Sequence, residues 1–343
     1  MRIAILGDTH FGARNGSPLF ARHQLRFFRE VFWPAVNEHG IEAIVHVGDV
    51  FDVGWTLSME GLAAFNEAFV NPCKMFGLPA WLLTGNHDLA VKKQQKPNMV
   101  REVLSSSTVG IRVVDAPTHI DNGHVLLMPW ITPDIAEDAM MWLKTSTARY
   151  VIGHFEITGA KMGPSIVCEH GLSPKTFKRF RHVYSGHFHC RSTLGSNITY
   201  VSTPLDLNWG ETGWHGFSIL ESTTGVLTDF ETPWRIHNRI TSNTLPPRLD
   251  DSLVRIEYTG KVPEKLVERA RVAGAVDVRA IDVSPPPSDL VAGPSPSEPL
   301  PATRVLIREY VEALADDPRV PKARLADLME RLYDMALQQG ESA

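Results

Sequence analysis

Nine side chains of the kinds that ligate divalent metal ions stand close after short apolar runs of the sequence. They are Asp8, His10, Asp49, Asn86, His87, Asp88, His154, His187 and His189. Carboxylate, amide and imidazole groups suit manganese or a similar ion, and the absence of cysteine from this set argues against a structural zinc site. Two such ions, held about 4 Å apart by a shared carboxylate, activate water and neutralise charge on a phosphoryl group. The residue types therefore predict hydrolysis of a phosphate ester at a two-metal site.

The elements that must bring these side chains together are buried strands. Five apolar runs each end in a glycine that is followed by polar residues of this set; they are RIAIL before residue 7, AIVHV before 48, AWLLT before 85, YVI before 153 and HVYS before 186. In open α/β sheets, ligands bind beyond the carboxyl ends of the strands, so residues far apart in sequence can meet there. A single histidine in such a place is more often an ordinary core or surface residue, but the repeated pattern favours a shared site.

The composition excludes several classes of protein. Hydrophobic residues make up 43% of the 343 residues and charged residues 21%, which is the balance of a folded soluble protein. The net charge of −5 gives no general attraction to nucleic acid. The three cysteines, without a CxxC pair, support neither a disulfide framework nor a cysteine zinc site and fit a reducing compartment. Because no apolar run could span a bilayer and no signal peptide follows Met1, a cytoplasmic protein without membrane association is expected.

The pattern of the chain changes near residue 243. Before it, short apolar runs alternate with amphipathic stretches, which predicts a layered α/β domain with helices over 20–39 and 57–76. Pro34 should kink or end the first helix, and Asn71-Pro72 should interrupt the second. Residues 244–283 predict a small βαβ module. Residues 284–302, dense in proline and serine, predict an extended linker.

The last segment, residues 303–343, is predicted to form two amphipathic helices, which we call the helical pair. Each helix carries one apolar stripe with helical spacing, formed by Ile307, Tyr310, Val311 and Leu314 in the first and by Leu325, Leu328, Met329 and Leu332 in the second. Such stripes suit insertion into the groove of a partner protein. The alternative is a hairpin that packs back on its own domain.

Five motifs carry a family resemblance, namely GDTH at 7–10, GDVFD at 48–52, GNHD at 85–88, GH at 153–154 and GHFH at 186–189. Together they closely resemble the signature of the calcineurin-like metallophosphoesterases. Within that superfamily the chain most resembles the SbcD-type nuclease subunits, including the small subunits of T-even phage recombination endonucleases, over nearly its whole length. The segments TSTARYVIGHFEI, YVEAL and ERLYDMA contribute to this likeness. The resemblance implies an α/β/β/α sandwich over residues 1–243, with 244–283 as a small capping domain and 303–343 as a helical partner-binding segment.

The resemblance also implies roles for individual residues. Two metal ions, Mn²⁺ or alternatively Mg²⁺, would share one carboxylate, with Asp8, His10, Asp49 and His189 holding one ion and Asp49, Asn86, His154 and His187 the other. His87 would lie over the scissile phosphate, where it stabilises the developing charge or protonates the leaving oxygen, and Asp88 would orient its ring. Cellular members commonly have a histidine where this chain has Asp52. The division between exonuclease and endonuclease action therefore stays open.

Basic residues close to the motifs predict local contacts with DNA. They are Arg14, Lys92, Lys93, Lys96, Lys178 and Arg179. A charge run is more often a solvated face than a binding site, but the position of these runs beside the motifs favours binding. Contacts to phosphate position DNA without recognising its sequence, so they predict a non-specific nuclease.

The function implied is a nuclease of DNA repair and recombination, acting as an exonuclease on duplex DNA and an endonuclease on single strands. In SbcD-type proteins the C-terminal helices dock on an SMC-like ATPase of the SbcC type, so such a partner is implied, together with a homodimer and, for a phage protein, the host cytoplasm. Two alternatives share the same motifs. One is a phosphoesterase acting on a small molecule or a phosphoprotein, and the other is a non-catalytic scaffold whose metals stabilise the fold.

Overall fold

The computed structural model describes residues 1–104, 110–163, 166–246, 248–284, 303–313 and 321–340. These residues divide into two compact units, Met1–Val283 and Ser284–Ala343. Among the residues described, no helix combines the length and the apolar character needed to cross a membrane. The predicted linker 284–302 lies outside the described residues apart from Ser284.

Among its described residues, the first unit contains fifteen strands in three sheets. In chain order they are β1 (Arg2–Leu6), β2 (Ala43–His46), β3 (Ala80–Leu83), β4 (Ile111–Val114), β5 (Thr118–Ile120), β6 (Val125–Met128), β7 (Tyr150–His154), β8 (His182–Gly186), β9 (Ser192–Leu194), β10 (Ile198–Tyr200), β11 (Gly216–Glu221), β12 (Val226–Glu231), β13 (His237–Ile240), β14 (Leu253–Tyr258) and β15 (Asp277–Asp282). The first sheet has the order β12-β11-β1-β2-β3-β4 and the second β5-β6-β7-β8-β10-β9. The strands β1 to β4 are parallel, as are β6, β7, β8 and β10.

The two large sheets pack face to face through an apolar layer. Ile5 and Val45 of the first sheet and Leu127 and Ile152 of the second belong to one cluster, and none of them is exposed to solvent. Alternate residues of the same strands point away from this layer and pack against helices. Burial of side chains of this size contributes about 1.5–3 kcal/mol each, so this layer fixes how the two sheets face one another.

Helices cover both outer faces of the paired sheets. They are Pro18–Phe27, Trp33–Glu38, Met59–Phe65, Asn71–Phe76, Met99–Val103 and Ala136–Thr145, with shorter turns at Ala13–Gly16, Asp121–Gly123 and Pro174–Phe177. The layers therefore follow the order α/β/β/α, which confirms the predicted fold class.

Both predicted helices continue through their prolines. A π-helical turn, Phe28–Phe32 or Asn66–Val70, precedes the short helix that carries Pro34 or Pro72. Proline lacks the backbone N–H and its ring clashes with the carbonyl of the preceding turn, and a wider turn relieves both problems. The prolines therefore widen these helices instead of ending them.

The third sheet has the order β13-β14-β15, and all its strands are parallel. The helix Glu264–Val272 connects β14 to β15, as a parallel pair requires, and contributes Leu266 to a small separate core. The strand β13 begins at His237, so this module takes in a strand that precedes residue 244, where the sequence places its start. The residue types of β13 do not indicate a strand, because Ile240 is the only apolar residue in its sequence HNRI.

The second unit contains the two predicted helices, Thr303–Ala313 and Lys322–Gly340. They pack on one another, and Arg308 pairs with Glu330 across them at 2.5 Å. Tyr310, Leu328 and Leu332 are exposed, Ile307, Leu325 and Met329 are half-buried, and Leu314 lies outside the described residues. Val311 is only 1% exposed, so other residues of this chain cover its side chain and a partner cannot reach it.

Candidate metal centre

One group of predicted ligands meets beyond the end of β1. Asp8 and His10 follow this strand, and His189 follows β8 in the facing sheet. The Nε2 atoms of His10 and His189 are 3.2 Å apart, and His189 Nε2 lies 4.0 Å from Asp8 Oδ2. Two ligand atoms about 2.1 Å from one ion, at right angles to each other, lie about 3 Å apart. These three side chains can therefore hold one ion.

A second group lies between the ends of β2, β3, β7 and β8. His154 Nε2 is 3.0 Å and His187 Nδ1 is 2.8 Å from Asn86 Oδ1, and His154 Nε2 is 3.4 Å from Asp49 Oδ2. The Nδ1–H of His154 donates to the carbonyl of Val47 at 3.1 Å, so Nε2 is the nitrogen that faces Asn86 and Asp49 and can ligate an ion. The group thus offers two imidazole nitrogens and two oxygens to another ion.

Asp49 lies between the two groups. Its Oδ2 is 3.4 Å from His154 Nε2 and 3.8 Å from His10 Nε2, so one carboxylate oxygen faces a histidine of each group. Its Oδ1 accepts the backbone N–H of His87 at 2.8 Å, which fixes the carboxylate. Asp49 therefore has the position of a carboxylate that two neighbouring ions can share.

The local backbone is unusual at the ligands themselves. His10, Asp49 and His187 have positive φ angles of 47°, 49° and 87°, a region that L-residues adopt rarely. Such strain persists where the surrounding structure fixes the conformation, as at functional sites. Gly186 lets the facing loops approach, since a Cβ there would lie 2.3 Å from Asp8 Oδ1. The glycine that ends β8 therefore allows the two sheets to share one site.

Burial and charge in the two groups fit divalent cations. Asp8 Oδ1 is buried without a hydrogen-bond partner among the described residues, and burial raises the pKa of Asp8. Although burial opposes ionisation, His154 and His10 hold the pKa of Asp49 well below its usual range. Against the effect of burial, Asp49 and Asp8 raise the pKa of His154 to about 9. A buried carboxylate oxygen without a donor is costly, and a cation at this place would satisfy it.

His87 lies at the exposed mouth of the site. Its ring centroid is 4.9 Å from that of His10, and its Nδ1–H donates to the backbone carbonyl of Asp52 at 2.8 Å. The side chain of Asp52 lies 3.3 Å from His10 Nδ1, so Asp52 supports both histidines. One ligand atom each of His10, Asp52 and His87 lies within 4.8 Å of the other two, as in a metal site. By position alone, His87 can therefore serve either as a metal ligand or as a catalytic group.

Asp88 does not orient the ring of His87, contrary to the prediction. Its buried carboxylate accepts the backbone N–H groups of Val50, Phe51 and Gly85 at 2.8–3.2 Å. It therefore ties the loop after β2 to the loop after β3 and so positions Asp49 and Asn86. The physical reason is that the Asp88 side chain points into the protein while the His87 side chain points to solvent, as neighbouring residues often do.

Glu211 is a functional candidate that the sequence analysis missed. Its Oε1 accepts the Nδ1–H of His189 at 2.7 Å, and its Oε2 accepts the backbone N–H of Leu207 at 2.7 Å. This contact sets the tautomer of His189 and turns Nε2 toward Asp8 and His10, as carboxylates behind metal-binding histidines do. No motif marks Glu211, because it lies in an irregular segment between β10 and β11.

The Glu211→Ala variant should bind Mn²⁺ about 10–100-fold more weakly, because His189 loses the group that orients it. Isothermal titration calorimetry with Mn²⁺ measures the change. Glu211→Gln keeps an acceptor for His189 Nδ1–H and is the matched control, with an expected smaller loss. An affinity of Glu211→Ala equal to that of the wild type would show that Glu211 has no part in metal binding.

The basic residues near the first and third motifs lie on the exposed surface. Arg14 donates to the carbonyl of Leu207 at 2.9 Å, and together with His10 and His87 it lowers the pKa of Asp52 against the effect of burial. Arg14 therefore lies at the mouth of the site. Lys92 and Lys93 are exposed in the loop after Asp88, whereas Lys96 lies 3.7 Å from Asp115.

Lys178 and Arg179 are not beside the metal groups, contrary to the prediction. They precede the first residue of β8, His182, while the ligands follow its last residue, Gly186. A strand of five residues is about 16 Å long, so its two ends face opposite sides of the unit. The guanidinium of Arg179 donates to the carbonyl of Lys144, near the start of β7, which places it at the same far end.

Comparisons with known proteins give one matching family and two similar proteins. Residues 1–191, which include every predicted metal ligand, match the family described as calcineurin-like phosphoesterase. Exonuclease subunit 1 of Enterobacteria phage T4 is 26% identical over 358 residues, which cover 98% of this chain and 100% of that protein. A solved structure described as a novel archaeal phosphodiesterase covers 68% of this chain and 100% of its own, with 13% identity and a TM-score of 0.34.

Proposed function

Because the chain belongs to the calcineurin-like phosphoesterase family, as its motifs predict, we propose that it is a two-metal-dependent DNA nuclease. We further propose that it acts with an SMC-like ATPase in DNA repair and recombination. The observation that carries the proposal is the pair of ligand groups on either side of Asp49. The name of the phage relative, an exonuclease subunit, supports a nuclease that works in a complex.

We assign the ligands as the two groups suggest. Asp8, His10 and His189 would hold one ion, Asn86, His154 and His187 the other, and Asp49 would hold both. Oxygen and imidazole ligands without cysteine favour Mn²⁺, with Mg²⁺ as the alternative. When bound, the ions would supply a nucleophile from water at neutral pH and neutralise charge on the phosphoryl group.

His87 is the proposed catalytic residue of the chain itself. Since its Nδ1–H is held by the Asp52 carbonyl, its Nε2 is the nitrogen that can face a phosphate above the ions. In its protonated form, Nε2–H would donate to the leaving oxygen, and its positive charge would stabilise the transition state. Asp52 positions this ring through its backbone, a role that does not depend on the identity of its side chain.

The proposed substrate is DNA because exposed cations lie close in sequence to the first and third motifs. Arg14, Lys92 and Lys93 are exposed and would contact the phosphates on either side of the scissile bond. Such contacts release counterions, so affinity for DNA should fall steeply as the salt concentration rises. Lys96 would contribute less, because Asp115 lies 3.7 Å from its amine.

Nuclease assays on defined single-stranded and duplex DNA, with Mn²⁺ or Mg²⁺, test the proposal. The same preparation is assayed with bis(p-nitrophenyl) phosphate, a small diester, and with p-nitrophenyl phosphate, a monoester. We expect cleavage of DNA and of the diester and little hydrolysis of the monoester. Faster hydrolysis of the monoester than of either diester would assign the site to a phosphatase instead, and no hydrolysis of any substrate would favour a scaffold.

The helical pair is the proposed docking segment for the ATPase, since Tyr310, Leu328 and Leu332 present apolar surface to solvent. In the full-length chain, Tyr310→Glu with Leu328→Glu should weaken binding to a co-expressed SMC-like ATPase at least tenfold, because interface anchors carry most of the binding energy. Surface plasmon resonance measures the affinity. Val272→Glu, at a site 80% exposed in the first unit, is the matched control. Unchanged ATPase binding by the double variant contradicts this assignment, whereas hydrolysis of the small diester should stay at the wild-type rate in all variants.

A further inference from the structure

A groove lies at the end of the first unit opposite the metal groups. The helix Ala136–Thr145 forms one wall, and the turn Pro174–Phe177 with the two residues after it forms the other. Its volume is about 770 Å³. The guanidinium of Arg179 joins the two walls through the carbonyl of Lys144. The groove is therefore built from parts that are fixed to each other, and it is separate from the proposed catalytic site.

The floor of this groove is apolar. Leu143 is buried beneath it, and Met140 and Met141 are 39% and 52% exposed. Methionine side chains are flexible and polarizable, so a surface rich in methionine adapts to apolar groups of different shapes. Two adjacent exposed methionines above a buried leucine thus offer a place for one or two apolar side chains of a partner.

The rim of the groove is positively charged. Lys144, Lys175, Lys178 and Arg179 line it, and no carboxylate is among its described lining residues. The three lysines form no ion pair with any residue that the structure describes, in contrast to Arg22 or Arg191, which pair with aspartates. Four cations around an apolar floor, on a chain whose net charge is −5, leave a local field that an anionic partner would neutralise.

We propose that this groove is a docking site for an acidic protein segment that carries one or two apolar side chains. Aspartates or glutamates of the segment would pair with the lysines, and its apolar side chains would cover Met140 and Met141. Charge complementarity selects the partner, and the apolar floor distinguishes it from nucleic acid. Surfaces that bind single-stranded nucleic acid use aromatic rings for stacking, and none of the described lining residues is aromatic.

The position of the groove determines how a bound segment would affect hydrolysis at the proposed catalytic site. Since the groove and the metal groups lie at opposite ends of β7 and β8, a bound segment would leave the mouth of the catalytic site open. The groove would recruit the protein to a partner without inhibiting hydrolysis. This proposal does not depend on the nature of the substrate.

Methyl NMR on the full-length protein labelled at its ten methionines tests the proposal directly. The probe is a short peptide rich in aspartate with two phenylalanines, and its affinity is measured by fluorescence anisotropy. The signals of Met140 and Met141, assigned with leucine substitutions, should shift on titration. The signals of Met59 and Met75, each 74% exposed elsewhere on the first unit, should not. Lys175→Glu with Lys178→Glu should weaken peptide binding at least tenfold, because it reverses half of the rim charge.

Matched controls separate the groove from unspecific attraction. Lys261→Glu with Lys265→Glu makes the same charge change on another surface and should leave peptide affinity unchanged. Both double variants should hydrolyse bis(p-nitrophenyl) phosphate at the wild-type rate, which verifies their folding. Three results would each overturn the proposal. The first is no binding of the peptide at millimolar concentration, and the second is equal affinity for a peptide with serines in place of the phenylalanines. The third is that the groove binds a single-stranded oligonucleotide instead of the peptide, and that Lys175→Glu with Lys178→Glu abolishes this binding.

Discussion

Replacement of His87 by alanine is expected to lower kcat for cleavage of DNA and of bis(p-nitrophenyl) phosphate by about 10²–10⁴-fold, while the protein keeps two bound Mn²⁺ ions. The loss follows from the position of the side chain. The His87 ring is exposed at the mouth, 4.9 Å from the His10 ring, and held by the Asp52 carbonyl, where it can reach a bound phosphate. A group that acts on the transition state lowers kcat when removed and leaves ground-state metal binding intact.

The metal content of this variant decides between two roles for His87. The positions of His10, Asp52 and His87 also allow His87 to be a ligand. In that case its loss should lower the number of Mn²⁺ ions bound per protein, as measured by inductively coupled plasma mass spectrometry. If it is catalytic, the stoichiometry stays at the wild-type value while kcat falls. His170→Ala, a change at another exposed histidine, controls for general effects of the substitution. A variant with unchanged kcat and unchanged metal content would remove His87 from the mechanism.

The sequence places the predicted ligands at the ends of strands because its signals are local. Each strand that leads to a ligand is a short apolar run followed by glycine, and a buried parallel strand requires such a run. Asp8, Asp49 and His154 can therefore be placed at strand ends before the tertiary structure is known. The order of the layers follows from the same alternation of strands and helices, together with the family resemblance.

The features that the sequence does not predict depend on contacts between distant segments. Glu211 supports His189 from an irregular segment without a motif, so only the folded chain brings them together. Asp88 follows His87 directly, but its partners are backbone groups of another loop, which leave no trace in residue types. Lys178 lies near a ligand along the chain, yet the length of β8 separates them. Two residues that are close in sequence lie far apart in the fold when a strand separates them.

Replacement of Asp49 by alanine is expected to remove both ions and to lower diester hydrolysis at least about 10³-fold, since each ion stabilises the transition state by several kcal/mol. Asp49 is the residue whose carboxylate faces a histidine of each group. Asp8→Ala, which changes only one group, should keep one ion. Mn²⁺ should therefore raise the Tm of the wild type and, to a smaller degree, of Asp8→Ala, but not that of Asp49→Ala.

The thermal stability of the metal-free protein gives a second test of the role of Asp49. Without ions, although burial opposes ionisation, His154 and His10 stabilise the Asp49 carboxylate and hold its pKa below the usual range, so at neutral pH this charge stabilises the folded state. Asp49→Asn removes one charge at nearly constant shape and keeps an acceptor for the His87 N–H. In the presence of a chelator at neutral pH its Tm should therefore lie below that of the wild type, and Mn²⁺ should raise that Tm less than it raises the Tm of the wild type. A rise in the Tm of Asp49→Ala with Mn²⁺ as large as that of the wild type would show that the two groups do not share this carboxylate, because the acidic cluster would then bind its ions without it.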